Sequence, residues 1–444
     1  MKRGVVVLFG IVALAVVLLA LGALQRVPES TGQAAPKLGT GVASELLVPQ
    51  PTRDLAEAIA SLEARTDGGE GDWRSFANLG LAYLQKGTAD SDPTYYDRAQ
   101  TALQRSLDIK DRDNFEAFLG LGVLANARHD FAEGLEWGRR AALANPSNAQ
   151  ARAVSGDALT ELGRYGEAID SLQEMVDLRP SMSAYARVSY ARELHGDVSG
   201  ARRAMEMALD SAGSSSDGAW AAYQLGELHF NNGRVSEAEH EYRRALYLAP
   251  GYAPARAGLA KVSAAQGRPR EAIATLEPAT IRYPSPELVI LLGDLYRLDG
   301  RDQQAQRQYK LVGAIQRLWR ANGGNNDLEL SLFNSDHGLD LDRALRLAQA
   351  EYSRRRSVHV ADTLAWALYA NDRFAQARRY SREALRLGTR NALFHFHAGM
   401  IERKLNHREQ ARVHLRKALD INPNFSFLHA TTARAALDQL GGAR

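Results

Sequence analysis

The chain reads as paired amphipathic helices laid end to end. Apolar residues recur at three- and four-residue spacing, giving each helix one stripe to bury. A small residue holds a fixed place in the second helix of each pair. These are Ala99, Gly134, Ala168, Ala201, Ala238, Ala272, Ala305, Ala344, Ala377 and Ala411, spaced 33 to 39 residues apart. The third unit shows the surrounding skeleton as Gly156, Leu159, Gly163, Tyr165, Ala168, Leu172, Val176 and Pro180. The early small residue (Gly80, Gly122, Gly156, Gly226, Gly293 or Gly399) lets the partner helix come close. Gly87, Gly163, Gly196, Gly233, Gly267 and Gly300 fall where the first helix should end on a left-handed residue. Proline after the second helix (Pro180, Pro250, Pro284, Pro423) stops it, having no amide donor. A period in the thirties predicts a solenoid, because one such pair cannot bury its apolar face alone.

Phe76–Tyr83 (F-ANLG-LAY) and Val289–Tyr296 (V-IL-LG-DL-Y) carry the W-x2-L-G-x2-Y element of the tetratricopeptide repeat, with another apolar residue in place of tryptophan. With the alanine and the closing proline, the chain resembles that family over roughly residues 73–423. The resemblance implies an all-α fold, an α-solenoid of about ten helix-turn-helix repeats with capping helices, and the uncharged N-terminal stretch adds a single transmembrane helix before it. Residues 1–4 are expected as a basic cytoplasmic stub, 5–24 as a transmembrane signal-anchor and 25–51 as a flexible linker. Residues 52–319 should hold a capping helix (about Thr52–Ala64) and repeats 1–7. Residues 320–444 should hold repeats 8–10 and a C-terminal cap near Phe425–Leu440. Three departures stand out: an insertion between the first pair's helices (about Thr88–Tyr95), the long connection Ser211–Gly218, and a weak eighth unit. That unit follows the loop 321–326, with a break or hinge expected near residues 320–327, and has Glu351 in place of a small residue.

Val5 to Leu24 contain no charge and follow Lys2 and Arg3. Twenty residues at about 1.5 Å each span roughly the hydrocarbon thickness of a bilayer. The positive end should stay in the cytoplasm, which places the repeats on the extracytoplasmic side of the cell membrane. The weak small-x-small site at Ala20–Gly22 leaves secretion or periplasmic release after cleavage as the alternative. The chain has no cysteine, which excludes disulfides and attachment of a lipid through cysteine.

Charge is divided unevenly. Residues 301–444 hold 24 Lys and Arg against 14 Asp and Glu, whereas residues 1–300 hold 31 against 38. The excess sits on second helices, at Arg378, Arg379, Arg382, Arg386, Arg412 and Arg416. By the family's geometry these face outward, either as a solvated surface or as a contact for anionic lipid or polymer. The concave groove implied by the resemblance is lined from first helices. Its candidate residues are Tyr190, Tyr223, Glu227, Phe230, Asn231, Asp362, Trp366, Tyr369, Phe396, Met400 and Arg403. Exposed aromatics flanked by charges would suit a peptide, rings giving area and polar groups orientation. Taken singly, each ring is expected to pack on the adjacent repeat, whereas the Tyr223–Phe230 and Trp366–Phe396 clusters together are expected to meet a partner. The clamp that some relatives use on a terminal carboxylate is not reproduced.

No catalytic constellation is present. His395 and His397 are two apart and point to different sides of a helix. Asp90, Asp92 and Asp97 lack calcium-loop spacing. The G-L-G at Gly120–Gly122 lies inside a helix, so it cradles no phosphate. The chain is therefore expected not to be an enzyme, and to use no cofactor, metal, small-molecule substrate or nucleic acid. The principal expectation is a membrane-tethered scaffold that binds a protein or peptide in its groove. The alternative is an accessory subunit of an envelope polysaccharide or cell-wall system that meets an anionic polymer or lipid through its basic outer helices.

Overall fold

In the computed structural model, residues 52–69, 71–90 and 92–441 are described. They form twenty-two α-helices, one short 3-10 segment at Asp67–Gly69 and no strand. The helix Thr52–Thr66 precedes, and Ala430–Gln439 follows, ten helix pairs that run from Trp73–Asp90 with Thr94–Ile109 to Ala392–Lys404 with Arg408–Ile421. The fold is thus an all-helical solenoid. No helix among the described residues is long and apolar enough to cross a membrane, and the segments 1–4, 5–24 and 25–51 lie outside the described residues.

The chain forms two compact units. The first comprises the residues up to Thr160 with Tyr165–Arg187 and Leu318–Asn325; the second comprises Glu161–Arg164, Val188–Arg317 and Asn326 onward. In the first unit, Gly134 replaces the repeating alanine because a Cβ there would collide with the Asn126 side chain. Asn126 is held in that place by donating to the Val154 carbonyl at 3.0 Å. In the second unit, a Cβ on Gly226 would lie 2.6 Å from the ring of Tyr242, which has no exposed surface. The early glycine is therefore a contact requirement, set by a ring on the paired helix.

Helix starts follow from short polar side chains. Asp130, Asp197, Ser214, Ser285, Ser357 and Asn391 each accept from an amide in the first turn of the helix they precede. Two local expectations are corrected. Gly87 does not end its helix, because that helix runs on through the inserted residues to Asp90, and Thr94 and Tyr95 begin the next one. The 39-residue step before Ala344 has its cause in the helix Asp302–Ala321, which has 20 residues where the preceding second helix Pro269–Arg282 has 14. Glu351 is 1% exposed and takes the guanidinium groups of Arg354 and Arg355, so its carboxylate is neutralised where a small residue was expected.

Candidate partner-binding face

Within each unit, first helices of consecutive repeats pack on one another, as Trp73–Asp90 does on Phe115–Ala127 and Val358–Ala370 does on Ala392–Lys404. That first-helix layer, the inner face by the family's geometry, carries two polar and aromatic clusters in the second unit.

The first cluster centres on Glu227. Its carboxylate accepts from the Tyr242 hydroxyl at 2.6 Å and from the Lys261 ammonium at 2.7 Å. Lys261 also lies 4.9 Å from the centre of the Phe230 ring. Tyr223 packs at 5.9 Å on both Tyr242 and Tyr252. Burial, then the Glu227 charge, pushes the Glu193 carboxyl up to about 7. A carboxyl whose folded pKa exceeds its unfolded value of 4.5 contributes stability that is present below that value and lost as pH rises through 7. Urea unfolding is expected to show Glu193→Gln gaining about 1–2 kcal/mol over wild type at pH 8, after discounting for partial exposure. At pH 4.5 the two should nearly coincide.

The second cluster centres on Trp366, sandwiched between Tyr369 (4.5 Å, 6°) and His397 (4.2 Å, 13°). The indole N–H donates to Asp336 at 2.8 Å, and His429 Nε2 meets the same carboxylate oxygen at 3.0 Å. Burial raises the pKa of Asp336, but the His429 hydrogen bond and the surrounding histidines outweigh it, so the carboxyl titrates below its ordinary value. His397 Nδ1 meets Asp362 at 2.9 Å, and His337 Nε2 meets Asp294 at 2.9 Å. Burial depresses His337, yet its hydrogen bond to Asp294 carries it above the ordinary histidine value. Neighbouring inner helices are thus cross-linked by aspartate–histidine pairs.

This geometry corrects the expectation of an exposed aromatic groove. Tyr223, Phe230, Trp366, Phe396 and Met400 are all buried, as are Glu227 and Asp362. Inner helices sit close enough for each repeat to cover the rings of the next. Tyr190, Tyr369 and Arg403 are half-buried, and Asn231 is exposed. Polar first-helix residues, Arg297 on Pro286–Leu298 among them, thus stay accessible as a rim where the rings are buried. Outer arginines also divide. Arg378 pairs with Glu402 and Arg412 with Glu409, and Arg386 donates to the Arg356 carbonyl. Arg379, Arg382 and Arg416 are exposed.

The sequence reading missed His337, His429 and Asp336 as parts of the inner face, because their partners lie in other repeats. His395, by contrast, meets His414 across its own helix pair at 3.0 Å. Among the described residues, no group of three or more His, Cys, Asp or Glu has a geometry that holds a metal.

Tetratricopeptide repeat models match residues 139–183, 190–253, 232–295 and 392–425. Tetratricopeptide repeat protein 36 of Homo sapiens is 35% identical over 102 residues, which is 23% of this chain and 51% of that protein. Its counterpart in Bos taurus is 33% identical over 144 residues, 31% of this chain and 73% of that protein. The chain belongs to the tetratricopeptide repeat family. It spans about half the length of the human relative. Among solved structures, the APC/C hetero-tetramer Cut9-Hcn1 is similar at 16% identity and a TM-score of 0.42, over 87% of this chain and 81% of that one. Repeats of this family are generally non-catalytic scaffolds for contacts between proteins.

Proposed function

We propose that this protein is a scaffold that holds a protein or peptide partner against the inner face of its second unit. The observation that carries this reading is the polar rim there, in which Asn231 and Arg297 are exposed and Arg403 is half-buried above rings already packed in place. A pre-formed bed lowers the ordering cost on the receptor side, so several modest polar contacts suffice. Location belongs to the same proposal. The uncharged stretch Val5–Leu24 after Lys2 and Arg3 supports a tether in the cell membrane with the repeats outside, and added protease should then digest them on intact spheroplasts.

The direct test is crosslinking in the native cell, repeated with Asn231→Ala/Arg297→Ala/Arg403→Ala and with Arg379→Ala/Arg382→Ala/Arg416→Ala. We expect the rim variant to reduce the crosslinked partner by about tenfold or more and the outer variant to leave it unchanged. Loss with the outer variant alone, abolished by moderate salt, would favour the second reading. In that reading the exposed Arg379, Arg382 and Arg416 meet an anionic polymer or lipid of an envelope polysaccharide or cell-wall system.

A further inference from the structure

Three hairpin turns of the second unit rest against loops from far along the same unit. The Leu162 carbonyl accepts from the Arg356 amide at 3.3 Å. The Thr389 hydroxyl donates to the Leu194 carbonyl, and the Asn422 side-chain amide donates to the Phe230 carbonyl at 2.8 Å. Arg390 donates to Asn232 at 3.2 Å beside them. The separations are 194 (356 less 162), 195 and 192 residues, so three successive turns meet three successive loops in one register. This is a seam. Thr389 and Asn422 are buried in it, and the buried Arg355 pairs across it with the half-buried Glu161 at 2.6 Å.

The glycines in these turns confirm that the docking is close. Gly163, Gly196 and Gly233 have φ of 78°, 77° and 75°. A Cβ on Gly196 would lie 2.6 Å from the Gly388 carbonyl oxygen, and one on Gly233 would lie 2.9 Å from that of Ile421. Gly267 and Gly300 have the same φ, but a Cβ on either would meet nothing within 4 Å. The turn alone explains the positive φ; the seam adds a second demand at three of the five.

The contacts that cross the seam differ in kind from those that hold the repeats. Within and between neighbouring repeats the polar pairs are accompanied by a packed apolar core, as in the cluster of Trp366, Phe396, Met400 and Leu415. Those across the seam are hydrogen bonds and an ion pair at loop surfaces, groups that water satisfies when they part. A solenoid's stability lies in repeats and nearest-neighbour interfaces, and the seam is neither. It is the part of the second unit that separates at least cost.

We propose that the seam is a clasp, which opens while the repeats on both sides stay folded and whose opening widens a partner's access to an inner face whose polar rim is already exposed. The inference rests on the inner-face reading above, but the test of opening needs no partner. Hydrogen exchange of the full chain supplies two reporters: the Arg356 amide for the seam, and the Leu364 amide, in the middle of Val358–Ala370, for the repeat. Arg356 should exchange about 100-fold faster than Leu364 or more. Thr389→Val with Arg390→Ala should speed Arg356 about tenfold further and leave Leu364 unchanged. Asn232→Cys/Arg390→Cys, the only thiols in this cysteine-free chain, should bridge within one molecule and slow Arg356 once bridged. Equal rates at the two amides, or parallel changes in both, would mean that the seam parts only when the repeats unfold, and would overturn the clasp. Access is read with a small maleimide on Tyr369→Cys, with Arg382→Cys as the outer control. The seam substitutions should speed labelling at 369 and leave 382 alone. An unchanged rate at 369 would remove the link to the inner face, whereas failure of the rim variants above would remove the partner reading and leave the clasp standing.

Discussion

Replacing Arg187 by methionine is expected to destabilise the first unit by about 3–5 kcal/mol, enough to shift its urea midpoint far below that of the wild type. Arg187, on Met182–Leu194, and Asp157, on Ala149–Glu161, face each other across two inner helices with side chains 2% and 3% exposed. The guanidinium donates through Nε and Nη2 to the two carboxylate oxygens, both at 2.7 Å, and Nη1 donates to the Ser183 carbonyl at 3.1 Å. Desolvating both ions is costly, so the pair as a whole adds little net stability. Removing one member is a different matter, since it leaves the other charge buried without the paired bonds that offset its desolvation.

The same reasoning fixes the control. Arg187→Met combined with Asp157→Leu removes both charges and should recover most of the loss, although Asp157→Leu alone should be as damaging as Arg187→Met. A double variant no better than either single one would show that shape rather than stranded charge dominates the site. If Arg187→Met cost under about 1 kcal/mol, the pair would be solvated in solution despite its burial.

How far the sequence reaches is clearest from what repeats. A motif that recurs within about 35 residues reports the contacts inside a unit: the close approach at Gly226, the left-handed turn at Gly233 and the stop at Pro250. The ion pair of Arg412 with Glu409 was readable as well, being one turn apart on a helix. Contacts whose partners lie elsewhere were not. The register that brings Asn422 to Phe230 depends on the small rotation accumulated at each repeat, and no local pattern encodes that rotation. The inner aromatics were misread for the same reason. Their position in the unit identified the face they occupy, but whether the next repeat covers them depends on spacing between repeats. Gly134 is an intermediate case, a visible exception in the alanine series whose cause, the reach of Asn126 to Val154, appears only in three dimensions.

That misreading changes what a substitution at Trp366 can report. As an exposed groove residue it would lose affinity on truncation and little else. At 5% exposure, with both faces stacked and its N–H on Asp336, it is core. Trp366→Ala is expected to cost about 3–5 kcal/mol, the range for deleting a large buried ring, and to loosen the last two repeats first. Hydrogen exchange across Val358–Ala370 and Ala392–Lys404 should rise well before that of the remaining helices of the second unit. Trp366→Phe keeps a stacked ring and loses the donor to Asp336, which still has His429, so its cost should be about 1 kcal/mol. A partner that dissociates with Trp366→Ala but holds on Trp366→Phe is therefore reading the integrity of these repeats. One that leaves both variants equally, at a temperature where Trp366→Phe is fully folded, is reading the indole itself, and would place Trp366 back on the binding surface.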